Sequence, residues 1–265
     1  MRPYISTFLL ILSSGLNTSC VSLPGSDKSA FIMISESEEK SMGRKAYAEI
    51  LSKEKLSNNL RWQEILQRVG KRIAAQTPVK YQWEYSLVQS KEMNAFCLPG
   101  GKVAFYTGII PVLQNEAAMA LVMGHEVAHA VQRHGAQRMS QGLLLQGGLA
   151  LGSVALGGEG NTSGNLVMAA LGLGAQVGVM LPFSRSHETE ADSIGLKYAA
   201  GAGYDPEEGF RFWERFARET KGGKMPNFLS THPSEKSRID NLRKLAVSVR
   251  ALYENSPKYG LGETL

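Results

Sequence analysis

The sequence predicts a mainly helical α+β domain, on three observations. Apolar residues recur at helical spacing through most of the chain from Ser35 onward. Only Tyr81 to Thr107 is rich in aromatic and β-branched residues broken by a turn signal, Pro99-Gly100-Gly101, so the sheet should be small. The run Ala117 to Val131 is apolar nearly all round except at His125, Glu126 and His129, which calls for a helix inside the domain. With 265 residues, 43% of them hydrophobic, the chain can bury one sizeable core.

In chain order, Arg2 precedes the apolar run Phe8 to Leu12, and small and polar residues follow as far as Cys20. This is the layout of an export signal over residues 1–19. Thr18-Ser19-Cys20 resembles the end of a bacterial lipoprotein signal, which makes Cys20 the candidate lipidation site. Asn17 departs from that pattern, since Leu is usual three residues before the cysteine. With Cys20 acylated, Cys97 has no partner and packs as a small apolar residue. Residues 20–34, holding Pro24-Gly25 and several serines, read as a tether.

The domain proper is expected over 35–255. Ser35-Glu36-Ser37-Glu38 fits a capping box ahead of Met42, Ala46 and Ile50. A second helix spans Asn58 to about Ala75, set out by Leu60, Ile65, Leu66, Val69 and Ile73, and Pro78 blocks its continuation. Two or three short antiparallel strands follow. Asn115 is the expected N-cap of the central helix, which should run to Gly135. The small-residue stretch from Leu143 to Phe183 reads as two packed helices. A membrane hairpin fits less well, because the first half is too short and the second contains Gln176. Helices from about Ser186 to Ala200, from Asp205-Pro206-Glu207-Glu208, and from Pro233-Ser234 complete the domain, leaving 256–265 as a tail.

His125-Glu126-Val127-Ala128-His129 places two imidazoles four residues apart on one helix face with a carboxylate beside them, the donor spacing of a zinc hydrolase. A third protein ligand is needed, and Glu188 is the choice. Asp192, four residues on and on the same face, can accept an N–H from a ligand imidazole, while Glu190 lies on another face. His134 falls off the ligand face and, with His187, reads as solvated or as a neighbour of the ligands.

His-Glu-x-x-His followed by Glu-x-x-Ala-Asp resembles the minor-gluzincin zinc metallopeptidases, the group of HtpX, the CAAX prenyl protease and BepA, and most closely their LoiP-like periplasmic lipoprotein branch. The helix Glu39 to Ile50, the stretch Asn94 to Gly101 and Thr231-His232-Pro233 extend the likeness over most of the mature chain. The resemblance implies a minor-gluzincin zincin fold with a small antiparallel sheet and a buried motif helix. It also implies one zinc ion held by His125, His129 and Glu188, with Glu126 as general base and Asp192 behind the ligands. His232 either stabilises the oxyanion or plugs the site, and Arg238 faces the cleft. Asn94, Ala95 and Phe96 form the edge that a peptide would extend.

The implied activity is hydrolysis of misfolded or stalled envelope proteins on the periplasmic face of the outer membrane, with the outer-membrane assembly machinery as a further partner. A transit-segment reading of the N-terminus would instead place the enzyme in mitochondrial or inner-membrane quality control. From another class, a chaperone or assembly factor with a latent zinc site is the alternative, since the small-residue segment could offer an apolar surface. The net charge of +5 is spread among acidic residues without a basic patch, so nucleic acid is not an expected partner.

Overall fold

Every residue of the helix Glu116–Val131 is buried, and the other elements are laid around it. The computed structural model describes residues 20–155, with only the backbone course over 145–155, then 183–220, 228, 232, 236–261 and 263–265. The expected signal 1–19 and the second half of the small-residue segment, 156–182, lie outside the described residues, as do Thr231 and Pro233-Ser234.

A hairpin of β1 (Cys20–Ser22) and β2 (Ser29–Phe31) leads to α1 (Glu36–Lys53) and α2 (Leu60–Ala74). Next come β3 (Glu84–Val88), β4 (Ala95–Leu98) and β5 (Lys102–Tyr106), a 3-10 turn (Thr107–Ile109) and the single-turn α3 (Ile110–Leu113). The central α4 (Glu116–Val131) and α5 (His134–Ala155) follow, then α6 (Arg185–Gly201), α7 (Glu208–Glu219), α8 (Lys236–Ser248) and α9 (Arg250–Glu254).

The helix starts follow local chemistry. Ser35 Oγ accepts from the Glu38 N–H at 3.3 Å while Glu38 Oε2 accepts from the Ser35 N–H at 3.0 Å, so the expected capping box forms. Asn59, Asn115 and Ser184 each accept from the backbone N–H three residues on, at 3.1, 2.8 and 3.2 Å. The buried face of α2, Ile65, Leu66, Val69 and Ile73, packs into the same core as α4.

The three-stranded sheet is mixed, whereas an antiparallel one was expected. Its order is β3-β5-β4, with Ala95 opposite Phe105 in the antiparallel β4–β5 pair and Glu84 opposite Lys102 in a parallel β3–β5 pair. The Gly100-Gly101 turn, with φ of 82° and 84°, makes β4 and β5 a tight hairpin. The chain after β3 then has to cross β5 and place β4 on its far side, so β3 and β5 run the same way.

Three further expectations are corrected. Residues 20–34 are not a loose tether: Leu23 and Ile32 are buried against Ala136, and Pro24 O accepts from Gln132 Nε2 at 3.0 Å. Nor is the end of the chain a free tail, since Leu265 N donates to Gln114 O at 3.0 Å and Tyr259 N to Gly203 O at 3.0 Å. The central helix stops at Val131, short of Gly135. Arg133 takes a left-handed φ of 54°, held by Glu39 at 2.6 Å and by Ile34 O at 3.0 Å, and the chain restarts as α5 in a new direction. Among the described residues no helix is long and apolar enough to cross a membrane.

Helices α4 and α6 cross at two glycines. A β-carbon on Gly124 would lie 2.5 Å from Gly195 O, and one on Gly195 would lie 2.5 Å from the His125 amide nitrogen. Only residues without side chains allow so close a crossing, and it sets Glu188 and Asp192 of α6 beside the imidazoles of α4.

Candidate metal centre

The face of α4 that meets α6 carries His125 and His129, whose Nε2 atoms lie 3.0 Å apart. One turn along α6 from Ser184, Glu188 brings Oε1 to 3.3 Å from His129 Nε2 and Oε2 to 3.5 Å from His125 Nε2. His232 completes the group, with Nδ1 2.9 Å from Glu188 Oε1 and 3.2 Å from His125 Nε2. One donor atom from each of the four buried residues lies within 4.8 Å of all the others.

Three imidazole nitrogens and a carboxylate oxygen form a donor set suited to a divalent transition metal. Two nitrogens on one tetrahedral zinc, each about 2.0–2.1 Å from it, stand roughly 3.3 Å apart, close to the separations seen here. An orphaned atom supports the fit: Glu126 Oε1 is buried and accepts no hydrogen bond, with His232 Nε2 3.4 Å away. A buried carboxylate oxygen without a donor is costly unless water or a substrate proton meets it. The residues present therefore fit a metal and an attacking water.

The electrostatics are set by burial and close charges. Burial pushes the Glu126 carboxyl above its ordinary value, against the pull of His232 and His125, which suits a proton acceptor. Glu188 is also raised by burial, yet His232 and the hydrogen bonds from His129 and His232 bring it well below the usual carboxylate range, so it stays ionised as a ligand must. Burial depresses His129 far below its ordinary value. His134, just behind it, is lowered to about 4 by burial and by His187.

Behind the ligands, Asp192 Oδ1 accepts from His125 Nδ1 at 2.9 Å, leaving Nε2 with a free lone pair. Arg238 grips Asp192 through Nε at 2.8 Å and Nη2 at 2.7 Å, and Glu188 through Nη1 at 2.7 Å. Its guanidinium lies 4.0 Å over the Trp213 ring. Arg238 was expected to face the cleft as a substrate contact. It lines a cavity with Glu188, Asp192 and Asn241, and its guanidinium is bound by the two carboxylates, so it also holds the ligand side of the site together.

Asn94 sits just before β4, its Oδ1 accepting from Ala95 N at 2.9 Å and its backbone O from Tyr106 N at 3.0 Å. Ala95 is buried, and Phe96 is committed to a cluster with Tyr47, Val88 and Tyr106, so any contact from this strand to a peptide runs through its backbone. Cys20 is exposed and Cys97 half-buried, both as free thiols, and burial followed by Glu126 pushes Cys97 far above its ordinary value.

Sequence reasoning missed two partners of the ligands, the full grip of Arg238 and the stacking of Phe183 on His129 at 3.9 Å, and of its two readings for His134 the ligand neighbour holds, with Nδ1 2.8 Å from His129 Nδ1. In an unbroken helix a residue five positions on lies about 140° round the axis. The left-handed Arg133 brings His134 back, and no local pattern announces such a break at an arginine.

Comparison with known proteins agrees with this geometry. The profile of peptidase family M48 matches residues 57–246. The mitochondrial metalloendopeptidase OMA1 of Schizosaccharomyces pombe is 35% identical over 249 residues, covering 89% of this chain and 69% of that protein. The Arabidopsis thaliana OMA1 is 37% identical over 172 residues, 64% of this chain and 33% of that one. The beta-barrel assembly-enhancing protease of Escherichia coli is 29% identical over 243 residues, 88% of this chain and 49% of its own length. The chain thus spans half or less of the last two.

Proposed function

The chain belongs to peptidase family M48 and is a metalloendopeptidase; on that premise we propose that its metal is zinc and that it cleaves misfolded or stalled proteins of the bacterial cell envelope. The observation that carries the chemistry is the buried Oε1 of Glu126, which accepts no hydrogen bond, beside the group of His125, His129, Glu188 and His232. Zinc held by His125, His129 and Glu188 would supply the Lewis acidity that brings a water's pKa to about 7 and polarises the scissile carbonyl. Glu126 takes the proton of the attacking water at Oε1 and delivers it to the departing amine. Asp192 keeps the His125 proton on Nδ1, and Arg238 holds Asp192 and Glu188 in place.

The peptide would lie along β4, an edge strand packed against α4, meeting the stretch Asn94, Ala95 and Phe96 at the main-chain groups that β5 leaves unbonded. Beside it opens an apolar cavity lined by Met42, Ala46, Leu98, Ala136, Met139 and the ligand His129. That lining suits an apolar substrate side chain next to the cleaved bond, the kind of residue an unfolded envelope protein exposes. For location, the reading rests on the signal-like residues 1–19 and the exposed Cys20 as the acylated anchor in the outer membrane, with the outer-membrane assembly machinery as a further partner. The likeness to OMA1 supports a mitochondrial site as the rival location.

A second reading, a latent site in a chaperone or assembly factor, is favoured by His232. Its Nδ1 stands among the ligand atoms, so with His232 as a ligand the group would have four protein donors, the number of a closed structural site. In the enzyme reading His232 serves as a removable plug and, turned toward substrate, as support for the oxyanion.

The deciding experiment compares the full chain with its Glu126→Gln variant for zinc content and for cleavage of an unfolded outer-membrane protein. Equal zinc with cleavage lost only in the variant is expected. Cleavage that survives in Glu126→Gln overturns the role of Glu126. Zinc in both proteins with cleavage in neither selects the latent reading, and His232→Ala should then release activity.

A further inference from the structure

The two histidines of the motif are supported from behind in different ways. His125 has a carboxylate at its outer nitrogen, Asp192 at 2.9 Å. The outer nitrogen of His129 meets another imidazole, His134 Nδ1, at 2.8 Å, with His134 wholly buried. Two imidazole nitrogens at this distance share one proton, and where it sits decides whether His129 can bind a metal.

For His129 Nε2 to present a lone pair, the ring's proton must be on Nδ1, so His134 Nδ1 has to accept it. The proton of neutral His134 is then on Nε2, which lies 3.3 Å from Glu190 Oε2. The other Glu190 oxygen, Oε1, accepts from Lys28 Nζ at 2.7 Å, in the turn between β1 and β2. The His134 ring is stacked flat on His187, 4.2 Å between centroids with 10° between planes, which fixes the direction of both its nitrogens.

We propose that His134 is a positioning residue for the metal ligand His129, and that Glu190, itself held by Lys28 of the N-terminal hairpin, selects the His134 tautomer that makes this work. The inference rests on the zinc reading above and deepens it: the docked hairpin is coupled through three side chains to the metal ligand. The links differ in strength. His134 is enclosed, Glu190 is partly exposed, and Lys28 is mostly in solvent, where an ion pair contributes little. Changes should therefore weaken metal binding in the order His134, Glu190, Lys28.

The test measures zinc affinity of metal-freed full chain by competition with a chromogenic chelator, together with the visible absorption spectrum of the Co²⁺-loaded protein. His134→Leu, which cannot accept a proton, should bind zinc about 10–100-fold more weakly and shift the cobalt bands. His134→Asn, whose Oδ1 replaces Nδ1 as acceptor, should restore both. Glu190→Leu should give a smaller loss, and it carries the test if His134→Leu does not fold.

Wild-type affinity in His134→Leu, or equal weakening in the Leu and Asn variants, would overturn the positioning role, the second outcome showing that only packing matters. Wild-type affinity in Glu190→Leu would overturn the tautomer link. Failure of the folded wild-type chain to take up zinc would remove the reading beneath the inference, and the wild type alone reports that result.

Discussion

Gly124 and Gly195 meet back to back where α4 crosses α6, with no room for a methyl group on either. The contact lies one residue from the ligand His125 and three residues beyond Asp192, so the spacing of these two backbones is the spacing of the metal group. Replacing Gly195 with Ala should force the helices apart by part of an ångström. A stability loss of about 1–3 kcal/mol is expected from overpacking. Zinc affinity should fall with it, because Glu188 recedes from the imidazoles, and urea unfolding alongside zinc titration would show both.

Arg238 is buried between two carboxylates, and Arg238→Met should leave Asp192 and Glu188 without their common counter-ion. Losing one partner of a buried ion pair costs about 3–5 kcal/mol. Because bound zinc would itself neutralise Glu188, the loss should be larger in the metal-free protein than in the zinc-loaded one. Equal losses in the two forms would mean that Arg238 contributes only its packing on Trp213.

Ala46 lines the apolar cavity next to His129, and Ala46→Leu should narrow it without touching a ligand. Peptides bearing Leu or Phe beside the cleaved bond should then show a raised KM with little change in kcat. Those bearing Ala should be affected less. Steady-state kinetics on a matched peptide pair reads the difference.

Asn115 both caps α4 and donates to Glu208 Oε2 at 3.0 Å, so Asn115→Ala should cost about 1–2 kcal/mol in thermal unfolding. Glu208 is raised by burial but brought below its ordinary value overall by Asn115 and Arg215. Its folded pKa is thus lower than its unfolded one, and the stability it contributes is present above the unfolded value and lost as pH falls through the folded one. Glu208→Gln should be less stable than wild type at neutral pH and show a shallower loss of stability below about pH 4.3. Unfolding midpoints across an acid series would check the slope.

Much of the site could be read from spacing alone. His125, Glu126 and His129 are within about one helical turn, and Glu188 and Asp192, four residues apart, share a face of α6, so periodicity locates them. The caps at Ser35 and Asn115 are local too, and they form, while α2 is capped by Asn59, one residue past its expected start. What spacing could not show depends on contacts between distant segments. The parallel β3–β5 pairing is set by a crossover, the docking of the chain end on Gln114 by a surface more than 140 residues earlier, and the His134–His129 contact by a left-handed arginine fastened to α1. Arg238 illustrates the same limit. Its position suggested the cleft, but which carboxylates would claim it depends on how α8 packs on α6.

Were the chain anchored at Cys20, the hairpin of residues 20–31 would leave the rest of it almost no leash. Cys20 is already the first residue of a strand paired with Phe31, in a hairpin that Leu23 and Ile32 pin against Ala136 of α5. If Cys20 carries the lipid anchor, the enzyme rides flush on the bilayer in a fixed orientation. Its reach is then its own width, and it meets only chains brought to that surface.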